Sequence, residues 1–395
     1  MITPNITLEL FVLFSFIVSA AIGFIIVPRI VFISQKKGLF DFVNERKVHI
    51  TPTPRLGGVS FFPAVIFSVS FVMALRTLFN LDIPPFLAES VLLEMPLLLC
   101  GLVTLYFIGM ADDLVGVNFR YKLVAQLIAS ILLILSGIYV NNLHGFCGIY
   151  EIPTWFGYPL TVVLVSFIIN AINLIDGIDG LASGLSSITL TSLGVWFGVH
   201  HLYIYSMIAF AMLGVIFPFF FYNVFGKNSK IFMGDTGSLL IGYLVAFLSA
   251  KLCMLSVSFE EYHLDNAPII ILAILFIPLF DAARVFFERI QKGKSPFHPD
   301  KTHIHHKFLA LGFSHRQTMV FILAIATVIV VINYFLNMIL NINIMFCVNI
   351  TLGIIMTIIM HRVSINLNDI EEYPLDFKED KLAPFLPKEE KEYKS

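Results

Sequence analysis

The sequence predicts a polytopic, all-α membrane protein, and two observations support this prediction. Of the 395 residues, 58% are hydrophobic and only 13% are charged, whereas a soluble domain is about half apolar and about a quarter charged. Apolar runs recur along the chain, each close to the roughly 20 residues that a helix needs to cross a bilayer. These observations exclude a soluble globular class, and the net charge of −2 does not indicate nucleic-acid binding.

The apolar runs predict eleven transmembrane helices. We place them near residues 8–33, 57–77, 91–110, 121–140, 158–175, 181–200, 203–223, 236–256, 267–289, 317–337 and 344–361. The first run follows an N-terminus without basic residues and is too long for the core of a signal peptide, so we expect it to be retained. Residues 1–365 thus form one polytopic domain, and the charged residues 366–395 form a solvated tail.

Lysine and arginine are concentrated in alternate loops. The loops at 78–90, 141–157, 257–266 and 338–343 contain neither residue type. The positive-inside rule therefore predicts an N-terminus outside, a C-terminus inside and a cytoplasmic location for the basic loops. The first of these, residues 35–58, could either set topology alone or bind phosphate. The residues that should then meet on the cytoplasmic face are Asp112, Asp113, Asp176, Asp179, Asp235 and the histidines near 303.

The most informative polar segment is Asn-Ala-Ile-Asn-Leu-Ile-Asp-Gly-Ile-Asp-Gly, residues 170–180, which follows a predicted span. A charged group inside a membrane costs roughly 3 kcal/mol or more, so such groups mark functional sites. Asn170, Asn173 and Asp176 are spaced three apart and share a helical face, which the glycines that follow are expected to end. A simple polar cap would need one of these residues and not four, which favours a functional site.

Two adjacent acids, Asp112 and Asp113, stand at the end of another predicted span, and Lys122 follows. One aspartate could cap a helix, which leaves the second unexplained. Mg²⁺ takes hard oxygen ligands, so the pair with its lysine is typical of divalent-metal or phosphate chemistry. An alternative use of one carboxylate is as a base whose pKa is tuned by its neighbour.

Asp235 lies in Met-Gly-Asp-Thr-Gly-Ser, residues 233–238, at the start of a further span. The structural alternative is an aspartate N-cap beside a glycine turn. The functional alternative places Asp235 on a metal, with the N–H groups of the helix start directed at phosphate. Phe232 could stack on a base, although packing is the commoner use of a phenylalanine at a membrane boundary.

Three histidines in four residues, His303, His305 and His306, follow a span that contains Asp281 and Arg284 at ion-pair spacing. Their spacing differs from that of zinc ligands on a helix or finger, and no cysteine accompanies them. We therefore favour imidazoles that contact phosphate over a zinc site.

Four of these motifs together resemble those of the polyprenyl-phosphate N-acetylhexosamine-1-phosphate transferases, in the same superfamily as the phospho-MurNAc-pentapeptide transferases. The motifs are Gly-Met-Ala-Asp-Asp at 109–113, the segment 170–180, Met-Gly-Asp-Thr-Gly-Ser at 233–238 and His-Ile-His-His at 303–306. Each motif alone is only modest support for the resemblance, whereas the four motifs in this order are specific for the family. The His-X-His-His form resembles the hexosamine-phosphate branch, which favours UDP-GlcNAc or a related UDP-HexNAc as donor.

The resemblance implies a helical bundle in the bacterial plasma membrane with a cytoplasmic active-site cleft. It implies that GlcNAc-1-phosphate, or a similar sugar-1-phosphate, moves from a UDP-sugar to undecaprenyl phosphate and that UMP is released. This step would begin synthesis of a lipid-linked envelope glycan, such as lipopolysaccharide or teichoic acid. The implied cofactor is Mg²⁺, with Mn²⁺ as an alternative. The implied partners are the two substrates and membrane lipid, without nucleic acid, and a homodimer is left open.

The resemblance also assigns residues motif by motif. It places Asn173 and Asp235 on magnesium. It makes Asp112 the candidate base or nucleophile toward the lipid phosphate, with Asp113 supporting the phosphates and Asp176 at the uridine. The expected nucleotide- and phosphate-binding residues are Phe232, Asp179, Lys122, His303, His305 and His306. One departure concerns Asn223, which lies twelve residues before Asp235, whereas much of the family has an asparagine ten residues before it, and this argues against a nucleotide role for Asn223.

Three alternatives remain at this stage. A pentapeptide transferase would share the chemistry and differ in its donor. A transporter would also use intramembrane acids, but it would place them near the bilayer midplane, commonly with repeat symmetry, and no repeat is visible here. Within the transferase reading, motif spacing leaves open both direct attack by the lipid phosphate and a covalent aspartyl intermediate.

Overall fold

The computed structural model describes residues 4–39, 53–79, 85–227, 229–293 and 303–368. Most of the first basic loop and nearly all of the charged tail lie outside these ranges. The described residues form thirteen α-helices: α1 Pro4–Lys37, α2 Phe61–Leu78, α3 Pro85–Val115, α4 Phe119–Leu135, α5 Thr154–Ile175, α6 Leu181–Val199, α7 Tyr203–Phe225, α8 Gly234–Ser258, α9 Ala267–Ile274, α10 Phe276–Gln291, α11 Ile304–Ala310, α12 His315–Leu336 and α13 Ile342–Asn368. Two strands, β1 Asn142–Phe146 and β2 Ile149–Glu151, complete the fold.

These helices confirm a polytopic, helical membrane protein. Nine helical segments of the described chain are long and apolar enough to cross a bilayer. A tenth candidate consists of the 3₁₀ turn Glu260–Tyr262, α9 and α10, which together are bent by 64° at a short break. The span predicted at 121–140 corresponds to α4, whose 17 residues extend about 26 Å, somewhat less than the roughly 30 Å of a hydrocarbon core.

Two local features differ from the sequence-based expectation. Helix α3 continues through both acids of the 112–113 pair and ends at Val115, because Gly116 follows with a left-handed φ of +71°. The acids therefore belong to the last turn of a helix and not to a loop. The loop at 141–157 contains an antiparallel hairpin of β1 and β2, a small addition to an otherwise helical protein.

Helix α8 lies at the centre of the bundle, where small residues let its neighbours approach closely. A Cβ atom added to Gly109 of α3 would lie 2.6 Å from the Cα of Thr236 in α8. A Cβ atom added to Gly242 of α8 would lie 2.7 Å from the Cα of Ile169 in α5. Small residues at such crossings are the usual means of tight packing between membrane helices. These contacts bring the ends of α3 and α5 beside the start of α8.

A buried ion pair joins α3 to α8 at the other end of these helices. The Lys251 ammonium donates to the Glu94 carboxylate at 2.6 Å, and the Tyr205 hydroxyl of α7 donates to the other oxygen at 2.7 Å. Glu94 and Lys251 are each 1% exposed. Lys251 is therefore a buried residue of the bundle interior with a charged partner.

We expect Lys251→Met to lower the stability of the protein by about 3 to 5 kcal/mol, because it leaves the Glu94 carboxylate buried without its counter-ion. Thermal unfolding of the purified protein in detergent measures the change. The double variant Glu94→Gln/Lys251→Met removes both charges and should recover most of the loss. Equal stability of the single variant and the wild type would contradict the prediction.

Candidate active site

Three carboxylates converge where α3 ends and α8 begins. Asp112 and Asp113 lie in the last turn of α3, and Asp235 lies in the first turn of α8. One oxygen of each carboxylate lies within 4.8 Å of the others. Three hard anionic donors this close repel one another unless a cation lies among them. The predicted convergence of the two acidic motifs is thus present in the structure.

Lys122, in the first turn of α4, supplies a positive charge to this cluster. Its Nζ atom lies 2.9 Å from Asp112 Oδ2 and 2.5 Å from Asp235 Oδ2. The backbone N–H of Val117 also donates to Asp112 Oδ1 at 2.8 Å. Lys122 was predicted to contact phosphate, and in this structure it bridges the acid of α3 and the acid of α8.

Asp113 caps the N-terminus of α8 from outside that helix. Its Oδ1 accepts from the Asp235 N–H at 2.7 Å. Its Oδ2 accepts from the Thr236 N–H at 3.0 Å and from the Thr236 hydroxyl at 2.6 Å. The first-turn N–H groups that the sequence suggested for a phosphate are therefore bonded to a carboxylate. The adjacent acids have different surroundings, since Asp112 faces Lys122 whereas Asp113 holds α8.

Asn173 joins the last turn of α5 to the start of α8. Its amide Nδ2 donates to the Ser238 hydroxyl at 2.8 Å, which leaves the amide oxygen as the metal-binding atom that the side chain offers. Asn170 instead exchanges hydrogen bonds with Gln126 of α4, the shorter at 2.8 Å. The two asparagines of the motif therefore have different partners, and Asn170 ties α5 to α4.

The turn between α5 and α6 presents Asp176 to the cluster. The helix ends at Ile175, and Gly180 begins the next helix with a φ of +77°, so the predicted glycine break is confirmed. Burial raises the pKa of the Asp176 carboxyl to about 7, and the negative charge of Asp235 shifts it in the same direction. The positive charge of Arg55 opposes that rise. Asp176 thus lies within the electrostatic reach of both the acidic cluster and the first loop.

Residues 53–58 of the first loop lie against the segment that precedes α8. The Phe232 N–H donates to the Pro54 carbonyl at 2.8 Å, and the N–H groups of Gly57 and Gly58 donate to the carbonyls of Phe232 and Met233 at 2.9 and 2.8 Å. A Cβ atom on Gly58 would lie 2.1 Å from the nitrogen of Gly237. Only glycine allows this approach, which brings residues 53–58 to the start of α8.

An ion pair between Lys230 and Asp179 is a second charged feature of this region. The Lys230 ammonium bonds to Asp179 Oδ2 at 2.6 Å and lies 5.4 Å from the centroid of the Phe232 ring. The other oxygen of Asp179 is buried without a hydrogen-bond partner among the described residues. Asp179 and Phe232, both predicted nucleotide-site residues, are thus linked through a lysine that the sequence analysis did not single out.

Asn223 has a structural role in this region. Its Oδ1 accepts from the Gly180 N–H at 2.6 Å, and its Nδ2 donates to the Ile231 carbonyl at 2.8 Å. The side chain therefore ties the α5–α6 turn to the segment before α8. These two bonds use both polar atoms of the Asn223 side chain. Its departure from the family spacing was the only sequence signal for this role.

The histidine segment packs against the same turn. A Cβ atom on Gly177 would lie 2.1 Å from the Nε2 of His305, and both ring nitrogens of His305 are buried without hydrogen-bond partners in the described structure. Burial lowers the pKa of His305 to about 3, and the charge of His306 adds to this, so its imidazole is neutral. His303 bonds to Asp281 and His306 stacks near His305.

The residues of the carboxylate cluster fit a divalent cation. They offer oxygen donors on two helix ends, and the Lys122 ammonium lies where positive charge is required. Carboxylate oxygens, with an amide oxygen from Asn173, are the donors that Mg²⁺ and Mn²⁺ prefer. The geometry adds Asp112 to the ligands that the resemblance assigns, Asn173 and Asp235, whereas both oxygens of Asp113 accept hydrogen bonds from the start of α8. It gives no such set around the histidines among the described residues.

The different surroundings of the adjacent acids lead to a prediction. Asp113→Asn should lower thermal stability by about 1 to 2 kcal/mol, because an amide has a single acceptor oxygen for the N–H groups that start α8. Asp112→Asn should change stability less, since Lys122 keeps its partner on α8. Thermal unfolding of both variants without substrate gives the comparison. A larger loss for Asp112→Asn would show that the cap assignment is wrong.

Known proteins resemble this chain over most of its length. Residues 95–253 match the model of glycosyl transferase family 4. An undecaprenyl-phosphate alpha-N-acetylglucosaminyl 1-phosphate transferase of Escherichia coli (strain K12) is 34% identical over 297 residues, 73% of this chain and 74% of the relative. The protein of that name from Yersinia pestis is 34% identical over 316 residues, 79% of this chain and 80% of the relative.

A third relative gives the same result. The Bacillus subtilis (strain 168) protein named "Probable undecaprenyl-phosphate N-acetylglucosaminyl 1-phosphate transferase" is 33% identical over 312 residues, 78% of this chain and 80% of the relative. The residues matched by the family model include all three acids of the carboxylate cluster. With four motifs gathered at one end of a helical membrane bundle, the chain belongs to the undecaprenyl-phosphate N-acetylglucosaminyl 1-phosphate transferase family, within glycosyl transferase family 4.

Proposed function

We propose that this protein transfers GlcNAc-1-phosphate from UDP-GlcNAc to undecaprenyl phosphate and releases UMP. The observation that carries the proposal is the carboxylate cluster of Asp112, Asp113 and Asp235 with Lys122, in a chain whose relatives are named for this reaction. Phosphoryl transfer between two anions is limited by charge repulsion and by positioning. A rigid site of acids and lysine at helix ends is suited to both tasks.

A divalent cation would be held by Asp235 and Asn173, with Asp112 as a further oxygen donor. When bound, it would neutralise the negative charge of the donor diphosphate. Asp113 contributes indirectly, because its three hydrogen bonds hold the first turn of α8 and hence Asp235. Asn173 is held in the same way through Ser238.

The transfer step can be written with the residues of this chain. An oxygen of the lipid phosphate attacks the phosphorus that carries the sugar. The bond from that phosphorus to the bridging oxygen of the diphosphate breaks, and UMP leaves with the bridging oxygen. Asp112 accepts the proton when the lipid phosphate is protonated. Lys122, which pairs with Asp112 and Asp235 in this structure, moves its positive charge toward the reacting phosphates. Direct attack needs no covalent bond to Asp112.

The donor nucleotide would bind beside the α5–α6 turn. Asp176, which burial and charge dispose to hold a proton near neutral pH, can donate to a uracil or ribose oxygen. Phe232 offers a ring face for the base, and Lys230 with Asp179 borders it. The histidines pack on the same turn, where His303 and His306 can contact the donor phosphates.

We further propose the membrane arrangement that the basic loops predict. The N-terminus is outside, and the C-terminus and the carboxylate cluster are cytoplasmic. The nine long apolar helices of the described chain, the bent α9–α10 pair and α4 together form eleven spans in the bacterial plasma membrane. The acids lie at helix ends and not at mid-helix, which favours catalysis over transport. Residues 1–365 form the enzyme domain, and the remaining residues form a cytoplasmic tail.

Asp235→Asn and Asp112→Asn should each lower transferase activity by roughly 100-fold or more, through loss of a metal ligand and of a base. The assay follows radiolabelled GlcNAc from UDP-GlcNAc into polyprenyl phosphate with purified protein and Mg²⁺, and a chelator should abolish transfer. Asp265→Asn is the matched control, since Asp265 is an exposed acid that pairs with His263 elsewhere on the protein. Full activity of both site variants would contradict the proposed site.

The same assay distinguishes the two branches of the superfamily by the donor that the enzyme accepts. We expect label from UDP-GlcNAc to reach the lipid and UDP-MurNAc-pentapeptide to be inactive. Transfer from the pentapeptide donor alone would show that the protein is a phospho-MurNAc-pentapeptide transferase.

Direct attack predicts that delipidated enzyme does not exchange radiolabelled UMP into UDP-GlcNAc. A covalent aspartyl-phosphosugar would form and reverse without the lipid acceptor, so exchange would occur at a rate comparable to turnover. The measurement follows label in UDP-GlcNAc with and without added polyprenyl phosphate. Exchange without acceptor that is lost in Asp112→Asn would establish the covalent route.

A further inference from the structure

Asp281 of α10 is a buried carboxylate that holds the start of the histidine segment. It is 1% exposed. Its Oδ2 accepts from His303 Nδ1 at 2.8 Å, and its Oδ1 accepts from the backbone N–H of Ile304 at 3.0 Å and from Arg284 at 2.7 Å. Both oxygens are therefore bonded, and two of the three bonds go to the segment that begins 22 residues later.

The expected ion pair with Arg284 is present but accounts for only part of this arrangement. An i,i+3 pair stabilises a helix by a few tenths of a kcal/mol, about 0.2 to 0.5, and uses Oδ1 alone. Arg284 also bonds to Glu288 at 3.0 Å, so a partner for the arginine exists without Asp281. The bonds to His303 and Ile304 connect α10 to the start of the histidine segment. They hold the His303 side chain and the Ile304 backbone at the same time.

The bond from Asp281 sets the state of the His303 ring. A carboxylate that accepts at Nδ1 fixes a proton on that nitrogen, so the group that the ring has left for a phosphate oxygen is an N–H at Nε2, which the ring carries when both nitrogens are protonated. The ring then lies parallel to His305, with centroids 5.9 Å apart and an interplanar angle of 7°. His305 in turn packs on Gly177, next to Asp176. A continuous set of contacts thus runs from α10 to the α5–α6 turn.

We propose that Asp281 is a positioning residue of the transferase site. It fixes the His303 imidazole with Nε2 available to the donor phosphate and seats the histidine segment on the α5–α6 turn. It touches neither substrate, and it acts through His303. The inference rests on the proposed function, in which His303 contacts the donor.

A double-mutant cycle tests the proposal. Asp281→Asn keeps the shape of the side chain but removes one acceptor oxygen, and His303→Gln removes the imidazole. Each single change should lower kcat/KM for UDP-GlcNAc by roughly 10- to 100-fold, as loss of a residue that orients a histidine does elsewhere. The loss should appear mainly as a higher KM for the donor, and KM for polyprenyl phosphate should not change. The double variant should be no worse than His303→Gln.

Glu288→Gln is the matched control, because it alters the same charged group without touching His303, and it should keep wild-type kinetics. Thermal unfolding of each variant checks folding. If Asp281→Asn does not fold, Asp281→Glu replaces it, since it keeps the charge but displaces the ring, and the same KM increase is expected.

Three results would overturn the inference. They are wild-type kinetics for Asp281→Asn, multiplicative losses in the double variant, and an equal loss in Glu288→Gln. Full activity of His303→Gln with a loss in Asp281→Asn would show that Asp281 acts by another route. If His303→Gln and Asp281→Asn are both fully active while the Asp112 and Asp235 variants are inactive, His303 does not contact the donor. The proposed reaction would then still stand.

Discussion

The cap that Asp113 places on α8 is the interaction on which the rest of the site depends. It is possible because Gly109, one turn earlier in α3, lets the two helices approach until a Cβ would meet the Thr236 backbone. The three hydrogen bonds then fix the first turn of α8, and with it both Asp235 and the Ser238 hydroxyl that holds Asn173. One close helix crossing thus determines where three motifs meet.

The electrostatics of the site follow from this convergence of the motifs. Carboxylates from two helices are brought within 4.8 Å, which is unfavourable unless positive charge is present. Lys122 supplies it from α4, and Arg55 opposes the same negative field at Asp176. A site that must hold acids together in one state and two anionic substrates in the next needs cations that can change partners. A lysine on a flexible stem at a helix start meets this requirement.

Much of this could be predicted from the sequence, and the rest has a physical explanation. Apolar runs and the cost of polar groups near lipid identified the helices and the motifs at their ends. The residue pattern by itself did not distinguish Asp112 from Asp113, and only the resemblance gave them different roles, because the difference in their contacts depends on which acid faces Lys122 and which faces α8. The roles of Asn223 and Asp281 also depend on contacts between distant segments. The length of α4 and the β1–β2 hairpin depend on local turns that hydropathy does not report.

The Glu94–Lys251 pair has a consequence for how the protein is made. The two residues are 157 positions apart in the chain, so α3 enters the membrane while its counter-ion has not yet been synthesised. At about 5 to 20 residues per second, Glu94 waits roughly 8 to 30 seconds for Lys251. During that time it must remain protonated, stay near the interface or be shielded by the insertion machinery. Completion of α8 therefore ends a vulnerable stage of biogenesis, and the same helix supplies Asp235, the last member of the carboxylate cluster to be synthesised.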